Sequence, residues 1–380
     1  MKKILFMLPS LKLGGMERVF VTIANLLVRS GYDVTAVAFN PEDDMKYLLD
    51  ERVKYRYQPP KKHFGKKIPY IRHQYYDNGL WETRASAQKL YRHYIGSETF
   101  DVEIAFFRGR CVKIISGSTN PSSLKLAWVH NDFTGCEGIT ANFNGIGQVK
   151  EAYRRFDKIL CVSRQVEASF HSVIGLADKT AVLYNPIPVD EIREKSTAPC
   201  DYQKRRFAVM SIGRLMPAKG YDRFIKACAR LQQEGHDLEP VIIGGGEERQ
   251  TLESIARQTG VRHLTLTGKQ DNPFRYIRSA DLYVCSSRYE GFNLTVAEAL
   301  ALNLPVLTTD CAGPPEILQG GEYGMIVDNS EDGLYNGIKT LYDHPALLKQ
   351  FRTKAVNGAA LFDEKQFIQR LKSILYKGET

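Results

Sequence analysis

The stretch Arg288-Tyr289-Glu290-Gly291-Phe292-Asn293-Leu294-Thr295-Val296-Ala297-Glu298 sets two carboxylates with seven residues between them. A β-rich run, Asp281–Cys285, precedes it and a helical pattern follows, so Glu290 falls in a loop and Glu298 inside the helix that the loop opens. Carboxylates in such places accept hydrogen bonds from sugar and ribose hydroxyls. Between them, the N–H groups around Asn293 and Leu294 open the helix and can meet a phosphate. The plainer reading is a capping glutamate followed by a solvent-facing one. A second loop, Ser211-Ile212-Gly213-Arg214-Leu215-Met216-Pro217-Ala218-Lys219-Gly220, again leaves a strand and enters a helix. Its two cations, Arg214 and Lys219, suit the two phosphates of a diphosphate leaving group, although surface cations alone are often idle. A third loop near the start carries Gly14 and Gly15 before another helix, where backbone N–H groups can approach an anion. It is not G-x-G-x-x-G, and no acid ends the next strand at Phe39-Asn40, which disfavours a dinucleotide site of the dehydrogenase type.

All three loops need strand–helix units to hold them, and the chain supplies these almost throughout. Strands are expected at Lys3–Leu8, Asp33–Phe39, Val102–Phe106, Leu124–Val129, Lys158–Val162 and Thr180–Tyr184. Met16, Val19, Phe20, Ile23, Ala24 and Leu27 recur at helical spacing between the first two and end near Ser30-Gly31. The pattern breaks at Asn185-Pro186-Ile187-Pro188, and the polar stretch Asp190–Lys204 reads as a linker. A second series follows at Phe207–Ile212, Pro240–Ile243, Leu264–Thr267, Asp281–Cys285, Pro305–Thr308 and Met325–Val327. Two doubly wound α/β domains in 380 residues are the natural expectation. Ligands then bind beyond the carboxyl ends of the strands, which points to a cleft between the domains.

The formal charge of +9 is concentrated in the first half, with 29 Lys+Arg against 21 Asp+Glu in residues 1–195 and 23 against 22 in the rest. Arg52, Lys54, Arg56, Lys61, Lys62, Lys66, Lys67 and Arg72 have no acid among them in the 52–72 stretch, and Tyr55, Tyr57, Phe64, Tyr70, Tyr75 and Tyr76 lie in or beside it. No nucleic-acid module is legible nearby, so nucleic acid is not an expected partner. The segment is either a solvated loop or a contact with an anionic membrane surface. No run of eighteen apolar residues is present to cross a membrane, and the short apolar start runs into Pro9 like a buried first strand. Seven scattered cysteines without a C-x-x-C pair read as free thiols of a reducing, cytoplasmic compartment, possible peripheral contact with the membrane aside.

Taken in order, G-R-L-x-x-x-K-G, the turn Gly244-Gly245-Gly246-Glu247, E-G-F-x-x-x-x-x-E and Ala312-Gly313-Pro314-Pro315-Glu316-Ile317 resemble glycosyltransferase family 4, the glycosyl transferases group 1. The likeness covers nearly the whole chain. It implies the GT-B fold, two Rossmann-like doubly wound domains facing each other across a cleft. The expected ranges are 1–195 for acceptor binding, 196–360 for the nucleotide sugar, and a helix at 361–380 packing back toward the first domain. It further implies a retaining transferase that moves a hexose or N-acetylhexosamine from a nucleoside-diphosphate sugar, a UDP-sugar being the expected donor, to a cell-envelope, capsular or lipid-linked glycan.

By the same resemblance, Arg214 and Lys219 hold the diphosphate, Glu290 lies near the donor sugar and Glu298 bonds the ribose. Gly14 and Gly15 close over phosphate and acceptor, and Phe292, Asn293 and Leu294 border the donor beside Glu290. Thr267-Gly268-Lys269 resembles the edge where the base stacks. His130, in Trp128-Val129-His130-Asn131-Asp132, matches a histidine near the transferred sugar; Asn293 stands where many relatives have Gly. No Asp-x-Asp occurs, and cations with helix N-termini can offset the leaving group's charge, so neither metal nor cofactor is expected. Transfer would proceed on the front face, the departing phosphate taking the acceptor's proton. A GT-B epimerase or nucleotide-sugar hydrolase would need a further acid–base pair that is not legible. A catalytically silent subunit that supports a partner transferase is the alternative of a different class.

Overall fold

The computed structural model describes residues 1–60, 83–134 and 138–376. It divides into two compact units, the first formed by Met1–Pro186 with the chain from Phe367 onward, the second by Ile187–Gln366. Each is built on its own parallel sheet.

In the first unit, among the described residues, the strands β1 (Lys3–Leu8), β2 (Asp33–Ala38), β3 (Lys54–Tyr57), β4 (Val102–Ala105), β5 (Leu124–Val129), β6 (Lys158–Cys161) and β7 (Thr180–Val182) pair in the order β3-β2-β1-β4-β5-β6-β7. The near-continuous apolar runs of β1 and β5 fit strands covered on both faces. Helix α1 (Gly15–Arg29) buries Val19, Phe20, Ile23, Ala24 and Leu27 and ends at Gly31, whose φ of 86° lies in the left-handed region. Phe6, Phe20 and Phe106 meet edge to face with centroids 5.3 to 5.8 Å apart, joining β1, α1 and the end of β4. The chain returns to this unit through its last helix, Glu364–Leu375, where Phe367 stacks on Trp128 at 6.3 Å and Leu371 is fully buried.

β3 was not among the expected strands. Its sequence, Lys-Tyr-Arg-Tyr, has no apolar run because it forms the sheet edge and is partly exposed. A charged edge also discourages pairing with another chain. The rest of the basic segment, from Lys61 to Arg72 with Phe64, Tyr70, Tyr75 and Tyr76, lies outside the described residues, as does Cys136.

In the second unit β8 (Phe207–Ile212), β9 (Leu238–Ile243), β10 (Thr265–Leu266), β11 (Leu282–Cys285), β12 (Val306–Thr309) and β13 (Met325–Val327) pair in the order β10-β9-β8-β11-β12-β13. The order reverses between β8 and β11, so their following loops diverge and leave a crevice at the strands' carboxyl ends. α2 (Tyr221–Gln233) follows β8 and α3 (Leu294–Ala301) follows β11. Val209, Phe224, Ile225, Ile242 and Leu282 form part of the core beneath. The polar stretch after Pro188 is not bare linker, since Val189–Ser196 is helical with Ile192 buried and Arg193 Nε donating to Ala301 O at 3.0 Å. Charged faces hid that one-turn apolar anchor from a reading of periodicity.

Among the described residues no helix is long and apolar enough to cross a membrane. The described cysteines are free; Cys111, Cys161, Cys228 and Cys285 are buried, and Cys200 and Cys311 half-buried.

Candidate active site

Lys219 ends a short 3-10 turn, Pro217–Lys219, and Gly220 follows in the left-handed region at φ 64° before α2 begins. A Cβ on Gly220 would run into the Ser286 carbonyl, so this close approach of the β8 and β11 loops demands glycine. The approach places the Lys219 Nζ 2.5 Å from Glu290 Oε1. That same oxygen accepts from the Ser287 hydroxyl at 2.6 Å and from Asn293 Nδ2 at 2.9 Å. Three donors thus converge on Oε1, while Oε2 accepts no hydrogen bond among the described residues. Burial works against charge on Lys219, but the Glu290 carboxylate outweighs it and lifts the ammonium above its ordinary pKa. Lys219 and Glu290 remain 22% and 12% exposed, so the pair sits at a surface that a ligand can reach.

The turn that carries Lys219 is clamped from the other loop. Arg288 holds Asp222 in a two-bond fork at 2.9 and 2.7 Å, donates to Pro217 O at 2.8 Å, and its backbone N–H donates to Ala218 O at 2.7 Å. Burial pushes the Asp222 carboxyl up, but Arg288 more than offsets this and holds it below the usual range. Ser286 Oγ donates to Lys219 O at 2.8 Å, closing the same junction. None of Asp222, Ser286, Ser287 and Arg288 stood out in the sequence. Their roles come from partners 66 and more residues away, except for Ser287, whose hydroxyl three residues before Glu290 was the one local clue.

Asn293 caps α3 with φ 69°, a conformation that asparagine tolerates better than most residues. Its Oδ1 accepts from Val296 N at 3.2 Å and from the Thr295 hydroxyl at 2.8 Å, which leaves Nδ2 for Glu290 and for Cys285 Sγ at 3.1 Å. The amides of Leu294 and Thr295 have no acceptor among the described residues and remain open at the helix start. Phe292 is buried edge to face against Phe362 at 5.5 Å, so its ring packs the loop and its backbone borders the site. Glu298 is buried on the second turn of α3.

Arg214 does not join this cluster. It is 70% exposed and its guanidinium reaches Glu247 at 3.3 Å, across the turn Gly244-Gly245-Gly246. That turn lies backbone to backbone against the β8 loop, with Gly213 N donating to Ile243 O and Leu215 N to Gly245 O, both at 3.0 Å. Gly268, at φ 74°, bridges to Gly244, and Lys269 beside it is exposed.

In the first unit, Gly14 is the extended N-cap of α1 and Gly15 its first residue. His130, just beyond β5, is 8% exposed, lies against Phe106 at 4.6 Å and is parallel to Trp128 at 6.2 Å. Burial pushes its pKa down to about 4, opposed by a hydrogen bond to the Phe106 backbone, so the ring is neutral at physiological pH. Its Nε2 has no partner among the described residues. At the sheet edge, Arg52, Lys54 and Arg56 pair with Asp50, Asp33 and Glu98 at 2.7 to 2.8 Å. The described part of the basic segment is thereby matched by acids that its own stretch of sequence lacks.

Among the described residues no group of three His, Cys, Asp or Glu side chains could hold a metal ion. The site is instead a lysine, a carboxylate fixed through one oxygen, and open helix amides at the carboxyl edge of a parallel sheet. The model of the family described as glycosyl transferases group 1 matches residues 192–357, which span this whole arrangement. That match takes in most of the second unit, Ile187–Gln366. An uncharacterized glycosyltransferase of Methanocaldococcus jannaschii is 34% identical over 182 residues, 44% of either chain. The N-acetylgalactosamine-N,N'-diacetylbacillosaminyl-diphospho-undecaprenol 4-alpha-N-acetylgalactosaminyltransferase of Campylobacter jejuni is 30% identical over 189 residues, 49% of this chain and 50% of that protein. The matched stretch thus spans about half the length of both relatives. The crystal structure of HepE from Anabaena with UDP and glucose superposes on this chain with a TM-score of 0.75, covering 99% of both at 18% identity. That likeness shows the fold, the two Rossmann-like units of the GT-B type.

Proposed function

We propose that the chain is a retaining glycosyltransferase whose second unit binds a nucleoside-diphosphate sugar, a UDP-sugar in the first instance, and transfers the hexose or N-acetylhexosamine to a lipid-linked or cell-envelope glycan. The observation that carries the reading is the convergence of Lys219, Ser287 and Asn293 on one oxygen of Glu290, beside the open amides of α3. In the reaction, the bond between the anomeric carbon and the diphosphate oxygen breaks and one to the acceptor oxygen forms on the same face. The acceptor's proton passes to the departing phosphate. Negative charge that develops on this phosphate is met by Lys219, by Arg214 once it leaves Glu247, and by the N–H groups of Leu294 and Thr295.

Glu290 accepts from the sugar's hydroxyls through Oε2, and Glu298 serves the ribose. Gly268 and Lys269 border the base. Within the first unit, the Gly14-Gly15 loop is the proposed contact for phosphate or acceptor, and His130, whose Nε2 has no partner among the described residues, for a sugar hydroxyl. A lipid-linked acceptor is favoured by the name of the Campylobacter relative, which is 30% identical over half its length, and by the sequence of the basic segment beyond its paired residues, where Lys61, Lys62, Lys66, Lys67 and Arg72 suit peripheral contact with an anionic membrane on the cytoplasmic side.

The test is release of nucleoside diphosphate from UDP-, GDP- and ADP-sugars by the purified chain in EDTA, with the anomeric configuration of any product read by NMR. Release from one nucleotide class with retained configuration is expected. Inverted configuration, or release only when a divalent metal is restored, contradicts the mechanism, and no release from any donor favours a silent subunit.

A further inference from the structure

Glu290 occupies a loop, and loop carboxylates ordinarily sample several rotamers. Here three donors hold a single oxygen of it, and they are not equivalent. A phosphate seated at the open amides of α3 would also seek a cation, and Lys219, bonded to Glu290 on the loop that enters α3, has only three ammonium protons to share between phosphate and carboxylate. When phosphate draws Lys219 away, the grip on Glu290 falls to Ser287 and Asn293. Ser287 is anchored by its own backbone, whose carbonyl accepts from Thr309 Oγ1 at 2.6 Å. Asn293 is anchored more firmly, because its Oδ1 is committed to Val296 N and Thr295 Oγ1, which fixes the plane of the amide and aims Nδ2 at Glu290.

We infer that Asn293 is a positioning residue for Glu290, its side-chain amide keeping Oε1 engaged and Oε2 presented to the donor sugar after Lys219 has moved to the diphosphate. The inference rests on the glycosyltransferase reading above. It assigns to the Asn293 side chain a role separate from phosphate binding, which the amides of Leu294 and Thr295 perform without it.

The experiment compares the full-length wild type with Asn293→Gly and Asn293→Asp. Glycine keeps the left-handed backbone and costs little at a helix N-cap, while removing the amide donor. Aspartate keeps the cap but sets a second carboxylate against Glu290, so the two share a proton and the pair titrates at higher pH. Calorimetric titration with UDP, followed by the pH dependence of UDP release from the UDP-sugar that wild type turns over best, reads the outcome. UDP affinity is expected to stay within about threefold in Asn293→Gly while kcat falls roughly tenfold or more. In Asn293→Asp the acid limb of the pH profile is expected to move to higher pH. Unchanged kcat in Asn293→Gly overturns the inference and leaves the glycosyltransferase reading intact. Parallel loss of UDP affinity and kcat in Asn293→Gly with Asn293→Asp unaffected also overturns it, making Asn293 a helix cap only. Absence of UDP binding and release in the wild type overturns both.

Discussion

At the scale of single residues, the site keeps its cation, Lys219, tied to its carboxylate, Glu290. Replacing Lys219 by Ala removes the charge that would meet the leaving phosphate, and turnover is expected to fall by about a hundredfold to a thousandfold. The fold is expected to survive, since Ser287 and Asn293 still donate to Glu290. Steady-state assay beside a thermal melt checks both halves; near-normal turnover contradicts the assignment. His130 gives a pH prediction. It stays neutral in the folded chain down to about pH 4, whereas an unfolded histidine takes up its proton near pH 6.5. Between those values the unfolded chain binds more protons, so stability falls as pH drops through this window, by at most about 3 kcal/mol. Urea unfolding from pH 7 to 4 should show a shallower loss in His130→Gln than in wild type. An identical slope would mean that His130 is not held neutral.

At the scale of elements, the inner strands of both sheets were legible because central parallel strands are apolar on both faces, as β1, β8 and β11 are. Their loops were legible because glycine, lysine and glutamate sit at fixed offsets from those strands. β3 escaped because an edge strand needs no apolar run, and Arg288 because its partner Asp222 lies 66 residues away. Arg214 shows the limit from the other side, since its position at a strand end was evident but its pairing with Glu247 was not.

The Gly-rich turn makes a testable contrast. A Cβ on Gly244, at φ 151°, would collide with the Gly213 carbonyl, whereas one on Gly260, at φ 68°, meets nothing within 4 Å. Gly244→Ala is expected to destabilise the second unit by about 2–4 kcal/mol and to displace the β8 loop, Gly260→Ala by only about 1 kcal/mol. Urea unfolding of the two variants compares them, and equal costs would show that the β8 loop does not depend on that backbone approach.

At the scale of the whole molecule, the chain builds the first unit, then the second, and returns to the first with its last helix. Phe367, Ile368, Leu371 and Leu375 are buried there, and Lys2 Nζ donates to Leu375 O at 3.2 Å. Ending the chain after Asp363 exposes the apolar surface those four side chains cover, a loss on the order of 5 kcal/mol or more. Differential scanning calorimetry is expected to show the first unit's transition lowered or lost and the second unit's retained. A single transition unchanged by the truncation would contradict the division of the chain at Phe367.

On this reading the second unit binds a nucleoside diphosphate through Lys219 without a metal. Calorimetric titration of UDP into the wild type and Lys219→Ala, both in EDTA, addresses it most directly. Binding by the wild type that weakens at least tenfold in the variant is the predicted result. Equal affinity in the two proteins, or binding that disappears from the wild type when EDTA is added, would contradict it.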